Sequence, residues 1–409
     1  MTESTEKPGA IVRVLLVDDQ RFVAEAVRRM LASAEDVLLE WCGQGAAAVE
    51  RATAFSPTVI LQDLVMPDAD GLDVVTALRA NPATHDVPII VLSSREEPAV
   101  KAEAFARGAN DYLVKLPDAI EVLARIRYHS AGCLAARQLA ATHAALKASQ
   151  AALAAELAEA EAYVRALLPE PLIGTVESAW QFVSSSRLGG DAFGSQWIDE
   201  DHLVVYLLDV CGHGVGAALL SVSAMNTLNA HTLPNVDFKR PAEVVAALNQ
   251  IFTMERHHGL YFTIWYGVYH RLERMLVYAS AGHPPAILLE ASREPQFLRT
   301  NAPPIGTMDG VVFGEARTSV PPGAKVYLFS DGVYEVVAVA DSGESGATLS
   351  LDDFAALLER CCAGDAEVLP GTAPTTGAAR VAAVLDAVRV VQGRPDFDDD
   401  CSLVEFRFT

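Results

Sequence analysis

Acidic residues at the ends of hydrophobic runs form two separate patterns, one towards each end of this 409-residue chain. The first pattern consists of Asp18, Asp19 and Asp63. The second consists of Asp191, Asp209, Asp331 and Asp399. Carboxylates beside glycine-containing turns are the usual oxygen ligands of Mg²⁺ and Mn²⁺. The sequence therefore predicts two divalent-metal centres, both of which act on phosphate groups. One is expected to act as a switch, and the other to carry out the chemistry that the switch controls.

The composition is that of a globular protein, with 51% hydrophobic and 21% charged residues. At roughly 100–200 residues per domain, the length predicts two or three domains. The formal net charge of −22 argues against non-specific binding to nucleic acid or to anionic lipid, because both are themselves negative. A neutral or basic protein partner fits this charge better.

The six cysteines are scattered and include no CxxC pair, which indicates neither a disulfide framework nor a zinc site. The polar N-terminal residues 1–10 have no apolar signal core, and we expect them to be disordered. No run approaches the ~18 apolar residues of a membrane span. We therefore expect a cytoplasmic protein that does not enter a membrane.

The first acidic pattern lies in a region that alternates regularly between predicted strands and helices. Strands are predicted at residues 12–17, 37–41, 58–62, 88–92 and 111–114. Helices are predicted at residues 20–32, 45–54, 72–80 and 98–107. Such alternation is typical of a doubly wound α/β fold with five parallel strands, whose functional residues gather at the carboxyl ends of the strands. Asp18, Asp19, Asp63, Ser93 and Lys115 all fall at those ends.

Residues 11–130 resemble a response-regulator receiver domain, which has a flavodoxin-like fold. The matching residues are Asp18-Asp19, the run Asp63-Leu64-Val65-Met66-Pro67 with Gly71, and then Ser93, Tyr112 and Lys115. The resemblance implies that Asp63 accepts a phosphoryl group from a sensor histidine kinase or a phosphotransfer protein. It also implies that Asp18, Asp19, Asp63 and the Val65 carbonyl hold Mg²⁺, and that Ser93, Tyr112 and Lys115 form the switch. A carboxylate can attack a phosphoryl group only where cations neutralise the crowded negative charge.

Residues 131–168 have strong helix-forming composition and predict a helical connector. Leu139, Leu146, Leu153 and Ala160 recur every seven residues, and Leu157 and Val164 follow at offsets of four. This seam predicts a parallel two-stranded coiled coil and a homodimer. His143 and Gln150 weaken its first half, so a single helix packed on its own protein remains the alternative. Pro169 ends the helix.

After residue 169 the pattern changes to strands at residues 202–209, 262–269, 275–280, 285–289, 325–330 and 403–406. Two helices are predicted between them, at residues 214–231 and 241–252. This order favours an α+β sandwich flanked by helices. The acidic residues of the second pattern lie at strand ends or turns, and glycines beside the first three allow the backbone to approach an ion or a phosphate closely.

The second region, about residues 165–409, resembles the metal-dependent (PPM) serine/threonine protein phosphatases, in their bacterial sporulation and stress-response branch. The motifs are Gly189-Gly190-Asp191, Asp209-Val210-Cys211-Gly212, Ser330-Asp331-Gly332 and Asp398-Asp399-Asp400. The resemblance implies that Asp209 is shared by two Mn²⁺ or Mg²⁺ ions, which are completed by Asp331, Asp399, the Val210 carbonyl and Asp191. Gly190, Gly212 and Asp400 are candidates for the second coordination shell. The sequence assigns no role to His213, His283 or Arg187.

The sequence thus predicts three parts: a receiver domain at 11–130, a helical linker at 131–168 and a phosphatase domain at 169–409. Phosphorylation of Asp63 is expected to control a metal-dependent protein phosphatase. By resemblance, its substrate is a phosphoserine or phosphothreonine on an anti-sigma-factor antagonist. The alternative is an inactive phosphatase fold that regulates a partner by phosphorylation-dependent binding. Retention of Asp209, Asp331 and Asp399 argues against that alternative.

Overall fold

The computed structural model describes residues 11–115, 117–184, 188–291, 293–339, 345–363 and 376–409. The N-terminal residues expected to be disordered lie outside this description, as does Arg187. Contacts divide the chain into two compact units, residues 1–151 and 152–409. The division falls within the predicted linker.

The first unit is built on a sheet of five parallel strands in the order β2-β1-β3-β4-β5. The strands are β1 Val12–Val17, β2 Val37–Cys42, β3 Val59–Gln62, β4 Ile89–Ser93 and β5 Asp111–Val114. Between them lie the helices α1 Arg21–Leu31, α2 Ala48–Phe55, α3 Gly71–Ala80 and α4 Pro98–Ala106. The predicted doubly wound α/β fold is confirmed.

Burial explains the apolar character of the central strands β3 and β4. Every residue of β3 and β4 is buried, because helices cover both faces of the sheet. One core forms on each face, around Leu15 and Ile60 on one side and around Leu16 and Leu61 on the other. Helix α3 begins at an Asp70 cap whose side chain accepts the Leu72 N–H. The strands therefore end on one edge of the sheet, where Asp18, Asp63 and Ser93 lie buried.

Helix α5, Ala119–Ala166, is a single helix of 48 residues, about 72 Å long at 1.5 Å per residue. Its N-terminal part packs on the sheet through Val122, Ile126 and Cys133. Ser130 also forms a buried 2.9 Å hydrogen bond with Thr58. All residues from 135 to 153 are exposed. The predicted long helix is confirmed, and its coiled-coil pairing stays a prediction.

The second unit contains twelve strands and four further helices among the described residues. The strands are β6 Val176–Val183, β7 Ala192–Trp197, β8 His202–Val210, β9 Phe262–His270, β10 Met275–Ala281, β11 Ala286–Leu289, β12 Gln296–Leu298, β13 Ala316–Ser319, β14 Lys325–Phe329, β15 Val337–Val339, β16 Ser345–Thr348 and β17 Cys401–Phe408. The helices are α6 Val215–Asn229, α7 Pro241–Ile251, α8 Leu351–Ala363 and α9 Gly377–Gln392.

Two antiparallel five-stranded sheets form the sandwich of this unit, in the orders β13-β10-β9-β8-β7 and β12-β11-β14-β17-β6. Strands β15 and β16 pair separately as a hairpin. The main core joins both sheets with α6 and α7, and a second core joins β14 and β17 to α8 and α9. Helices therefore flank the sandwich, as predicted for an α+β phosphatase fold.

Strand register brings the acidic turns to one end of this sandwich. Strand β8 ends with Asp209 opposite Thr263 and Val210 opposite Phe262. Strand β14 ends just before Asp331, and β17 begins just after Asp399, with Phe329 opposite Leu403. The sandwich end that carries these residues is called the acidic end below.

All six cysteines are free thiols. Among the described residues, no helix combines the length and apolar character that crossing a membrane requires.

Candidate functional sites

The first candidate site lies at the carboxyl edge of the parallel sheet, where Asp18, Asp19 and Asp63 converge. Each offers one carboxylate oxygen, and these oxygens all lie within 4.8 Å of one another. Asp18 and Asp63 are buried, and Asp19 Oδ1 is a buried atom without a hydrogen-bond partner among the described residues. Three carboxylate oxygens this close together, one of them without a described hydrogen-bond partner, form a ligand set that suits a divalent cation.

Lys115 supplies the positive charge of this site. Its Nζ lies 2.7 Å from Asp63 Oδ2 and 2.8 Å from Asp18 Oδ2. Burial lowers the pKa of Lys115, but its bonds to Asp18 and Asp63 outweigh this and leave the pKa raised. Burial likewise raises the pKa of Asp18, and its bond to Lys115 opposes that rise. The ammonium is therefore held charged beside the carboxylate that is predicted to accept phosphate.

Of the remaining predicted receiver residues, Val65 contacts Asp63, while Ser93 and Tyr112 contact the loop after β4. The Val65 N–H lies 3.3 Å from Asp63 Oδ1. Ser93 is buried at the end of β4, where its Oγ accepts the Arg95 N–H at 3.2 Å. The Tyr112 hydroxyl donates to the Arg95 carbonyl at 2.6 Å. Ser93 and Tyr112 thus both engage the loop after β4, which suits residues that report a change at Asp63.

Gly71 is required by close packing beneath this site. A Cβ at this position would overlap the Asp63 carbonyl oxygen and the Leu64 backbone. No larger residue fits without moving the backbone of Asp63.

The second candidate site lies at the acidic end of the sandwich and brings together Asp191, Asp209, Asp331 and Asp399. Asp191 is 2% exposed, and both its carboxylate oxygens are buried without a hydrogen-bond partner among the described residues. Burial and then the neighbouring Asp209 raise the pKa of Asp191 well above its usual range. Burial and then Asp331 raise the pKa of Asp209 to about 7. Burial and then Asp399 raise the pKa of Asp331.

These mutual effects make the four predicted carboxylates electrostatic neighbours. They are more widely spaced than the receiver triad, since within the described ranges that triad alone has three ligand atoms within 4.8 Å of one another. Asp191 is buried, and Asp209 and Asp331 are half-buried, so the carboxylates repel one another at a cost unless cations neutralise them. The donor set therefore fits bound Mn²⁺ or Mg²⁺.

The predicted second-shell residues connect the loops of this cluster. Asp400 Oδ2 accepts the buried Gly190 N–H at 2.6 Å, and Asp400 Oδ1 accepts the Ser184 hydroxyl at 3.1 Å. A Cβ on Gly190 would lie 2.7 Å from the Val210 carbonyl oxygen. Gly212 has a φ of +84°, which favours glycine. Gly190 therefore permits close approach to the Val210 carbonyl, and Gly212 permits the turn that follows it.

No role was predicted for the small hydroxyl residues near the cluster, although Ser330 belongs to the Ser330-Asp331-Gly332 motif. Ser330 and Ser402 lie beside Asp191, and their backbones pair where β14 meets β17, with Ser402 N donating to Ser330 Oγ at 2.9 Å. The Thr263 and Ser402 hydroxyls are buried without hydrogen-bond partners among the described residues. Isolated serines and threonines near strand ends carry no distinctive sequence signal, and only the strand pairing reveals them.

The two histidines without an assigned role differ in environment. His213 is exposed in the turn after β8. His283 is buried, and burial lowers its pKa to about 4. Its Nδ1 lies 2.9 Å from the Pro284 carbonyl oxygen, which supports a structural position for this ring.

Comparison with protein families gives two matches in different parts of the chain. The model described as stage II sporulation protein E (SpoIIE) matches residues 199–409. The model described as response regulator receiver domain matches residues 14–127.

Two curated relatives match these parts separately. Phosphoserine phosphatase RsbP of Bacillus subtilis (strain 168) is 28% identical over 173 residues, which are 42% of this chain and 43% of RsbP. Response regulator MprA of Mycobacterium ulcerans (strain Agy99) is 38% identical over 116 residues, which are 28% of this chain and 49% of MprA. The chain thus spans about half the length of the curated relatives that it matches.

A solved structure has the same fold as the second unit. The SiaA-PP2C domain of Pseudomonas aeruginosa superposes with a TM-score of 0.51 at 21% identity, covering 64% of this chain and 99% of that domain.

Proposed function

The chain belongs to the stage II sporulation protein E (SpoIIE) family, and on this basis we propose that it is a metal-dependent phosphatase of phosphoserine or phosphothreonine proteins, controlled by phosphorylation of Asp63. The observation that carries the proposal is the carboxylate cluster of Asp191, Asp209, Asp331 and Asp399, in which Asp191 is buried, Asp209 and Asp331 are half-buried and Asp399 is exposed. Both carboxylate oxygens of Asp191 are buried without a hydrogen-bond partner that meets the distance and angle requirements among the described residues, although Ser330 and Ser402 lie nearby. Burial of such a carboxylate is unfavourable, and a bound cation would offset that cost.

In the phosphatase unit, we propose that Asp209 would serve as a ligand of two Mn²⁺ or Mg²⁺ ions. Asp331 and Asp399 would complete one site, while the Val210 carbonyl and Asp191 would serve the other. When bound, the ions would supply a hydroxide nucleophile and neutralise the substrate phosphate. The protein itself orients the ligand loops through Asp400, Gly190 and Ser184. No cysteine or histidine nucleophile is needed for this chemistry.

In the receiver, the Asp63 carboxylate would accept the phosphoryl group from a histidine kinase or a phosphotransfer protein, with Mg²⁺ held by Asp18, Asp19, Asp63 and the Val65 carbonyl. Lys115 is already 2.7 Å from Asp63 Oδ2 and would bind oxygens of the new phosphate group. The Ser93 hydroxyl would bind another of these oxygens. The Ser93 and Tyr112 contacts with the Arg95 segment would then rearrange and report the new charge.

The substrate we propose is a phosphorylated anti-sigma-factor antagonist. Support comes from the SpoIIE family and from similarity to RsbP, which is described as a phosphoserine phosphatase. We also propose that the chain is a cytoplasmic homodimer joined through α5. Leu139, Leu146 and Leu153 are 71%, 56% and 58% exposed, an unfavourable arrangement for leucines unless a partner covers them.

The experiment is to measure phosphate release from a phosphoserine protein substrate with Mn²⁺, with and without beryllofluoride, which mimics phosphorylated Asp63. A rate that depends on beryllofluoride, and loses that dependence in Asp63→Asn, is the expected result. A rate that ignores beryllofluoride would refute control through Asp63. No hydrolysis in either state, with Mn²⁺ binding demonstrated by calorimetry, would instead favour a scaffold with an inactive phosphatase fold.

A further inference from the structure

Most of the cationic side chains described in the second unit already have a partner within the protein. Examples are the ion pairs of Lys239 with Asp199, Arg271 with Asp201 and Arg407 with Glu177. Four described cationic side chains of the unit have no ion-pair or hydrogen-bond partner among the described residues: Arg256, Arg299, Arg317 and Lys325. In a chain with a formal net charge of −22, free cationic groups are the exception, and their positions are informative.

Arg256 lies at the acidic end of the sandwich. It belongs to the tight turn Thr253–Leu260 that leads into β9, whose first residue, Phe262, lies opposite Val210. The pairing continues past the strands, because the Cys211 N–H donates to the Tyr261 carbonyl at 3.0 Å. The turn that carries Arg256 therefore sits next to the loop that follows Asp209 and Val210. Arg256 is exposed there and makes no ion pair with the adjacent Glu255.

Arg299 emerges at the same end on a neighbouring segment. It directly follows β12, in which Leu298 lies opposite Ala286, the first residue of β11. From there the chain runs across the acidic end, where Ile305 N donates to the Phe262 carbonyl at 2.8 Å and Gly306 accepts the Met254 N–H at 3.2 Å. A single hydrogen-bonded segment thus leads from Arg299 to the turn of Arg256. Arg299 is exposed as well.

The other two free cations lie elsewhere. Arg317 is in the middle of the edge strand β13, opposite Val277. Lys325 begins β14, opposite Leu289, and therefore lies at the far end of that strand from Asp331.

We propose that Arg256 and Arg299 form a docking site for acidic residues that flank the phosphorylated serine or threonine of the substrate protein. The inference rests on the proposed phosphatase function and adds a substrate preference to it. An acidic substrate segment is repelled by the chain as a whole, so recognition requires local positive charge beside the catalytic cluster. Guanidinium groups that are not already paired with a carboxylate of the protein are available for such contacts.

The test compares two phosphoserine peptides of equal length, one with aspartate and glutamate around the phosphoserine and one with serine and glutamine there. Each is hydrolysed by the full chain with Mn²⁺, alongside p-nitrophenyl phosphate, which has no flanking residues. We expect a lower KM for the acidic peptide. Arg256→Ala combined with Arg299→Ala should raise that KM about 3- to 10-fold at unchanged kcat, as expected for two exposed charge contacts.

The matched control is Arg317→Ala, which removes an equally unpaired exposed arginine away from the acidic end and should leave the preference intact. Added salt should weaken the preference in the wild type but not in the double variant. Equal KM values for the two peptides in the wild-type protein, or an equal loss in Arg317→Ala, would overturn the proposal.

A measurement of peptide binding distinguishes failure of the docking-site proposal from failure of the proposed phosphatase function. Labelled versions of both peptides, carrying a non-hydrolysable phosphonate analogue of phosphoserine, are titrated against the chain by fluorescence anisotropy. A preference for the acidic peptide that depends on Arg256 and Arg299 would support the docking site even if no p-nitrophenyl phosphate is hydrolysed. Hydrolysis without any such preference would refute the docking site and leave the phosphatase proposal standing.

Discussion

Asp400 joins two segments that are 210 positions apart in sequence, because its Oδ2 accepts the Gly190 N–H directly before Asp191. Its neighbour Asp399 is a proposed ligand, so one hydrogen bond fixes the distance between two ligand loops. The backbone oxygen of Asp400 also lies so close to Gly332 that any side chain at position 332 would overlap it. The cluster is thus held together by the residue beside a ligand as much as by the ligands themselves.

We predict that Asp400→Ala weakens Mn²⁺ binding by about 10-fold or more, in the range found when a side chain supporting metal ligands is removed. It leaves the buried Gly190 N–H without an acceptor and frees the loop that carries Asp191. Asp400→Asn retains an amide oxygen that can accept this N–H and should change the Kd less. Calorimetric titration of Mn²⁺ into each purified variant measures the effect. Equal Kd values for the alanine and asparagine variants would show that the hydrogen bond is not what matters.

Much of the candidate site was predictable at this scale, because carboxylates at strand ends are visible in a sequence. The placement of Asp18, Asp19 and Asp63 within 4.8 Å of one another agrees with the expectation from the carboxyl ends of parallel strands. The hydroxyls of Ser184, Ser330 and Ser402 were not predictable. Their contacts arise from pairing between β14 and β17 and from a loop before β7, which only the folded chain brings together.

Helix α5 differs from the other described helices in that a long stretch of it is exposed. Its residues from 135 to 153 are exposed on all sides, although a helix this exposed gains no stability from tertiary packing. Its composition favours helix, and its leucines recur at heptad spacing. A second copy of the helix would cover those leucines and supply the missing contacts.

We predict that Leu146→Glu converts a dimer to a monomer, because like charges would then face each other across the seam. Sedimentation equilibrium of the full chain measures the change directly. Ala148→Glu, on the outer face two residues away, is the matched control and should leave the dimer unchanged. A wild-type protein that is monomeric at micromolar concentrations would refute the coiled coil and favour a single exposed helix.

Some strands and helices were predicted well and others were missed, because the prediction depends on a clear pattern of apolar and polar residues. The five receiver strands are mostly apolar runs between helices, and their predicted and observed bounds agree closely. By contrast, β6 and β13 were missed because they are edge strands in which small and polar residues interrupt the pattern. Helix α9 was missed because its exposed positions include apolar residues such as Ala378, Ala379 and Val390, so the face opposite the buried one is not clearly polar.

At the scale of the whole molecule, the proposed function requires that a change at Asp63 reach a cluster of carboxylates in another compact unit. Helix α5 is continuous from the receiver sheet into the second unit, which makes it the covalent route between them. A helix can transmit a change through its length, its rotation or its pairing with a partner. Changes in helix length separate these possibilities, since each inserted residue rotates everything beyond it by about 100°.

We predict that inserting seven residues of heptad-compatible sequence between Thr142 and His143 preserves the beryllofluoride response, because a full heptad nearly restores both the rotation and the seam. Inserting three residues should abolish the response or lock the phosphatase in one state, since it shifts the leucines off the seam. Both insertions fall in the exposed stretch of the helix, so neither should unfold a unit, and circular dichroism together with hydrolysis of p-nitrophenyl phosphate checks this. If both insertions preserve the response, the helix only connects the two units, and the rotation of one end of α5 relative to the other does not matter. If both abolish it while hydrolysis persists, the control depends on the distance between the units and not on the rotation of α5.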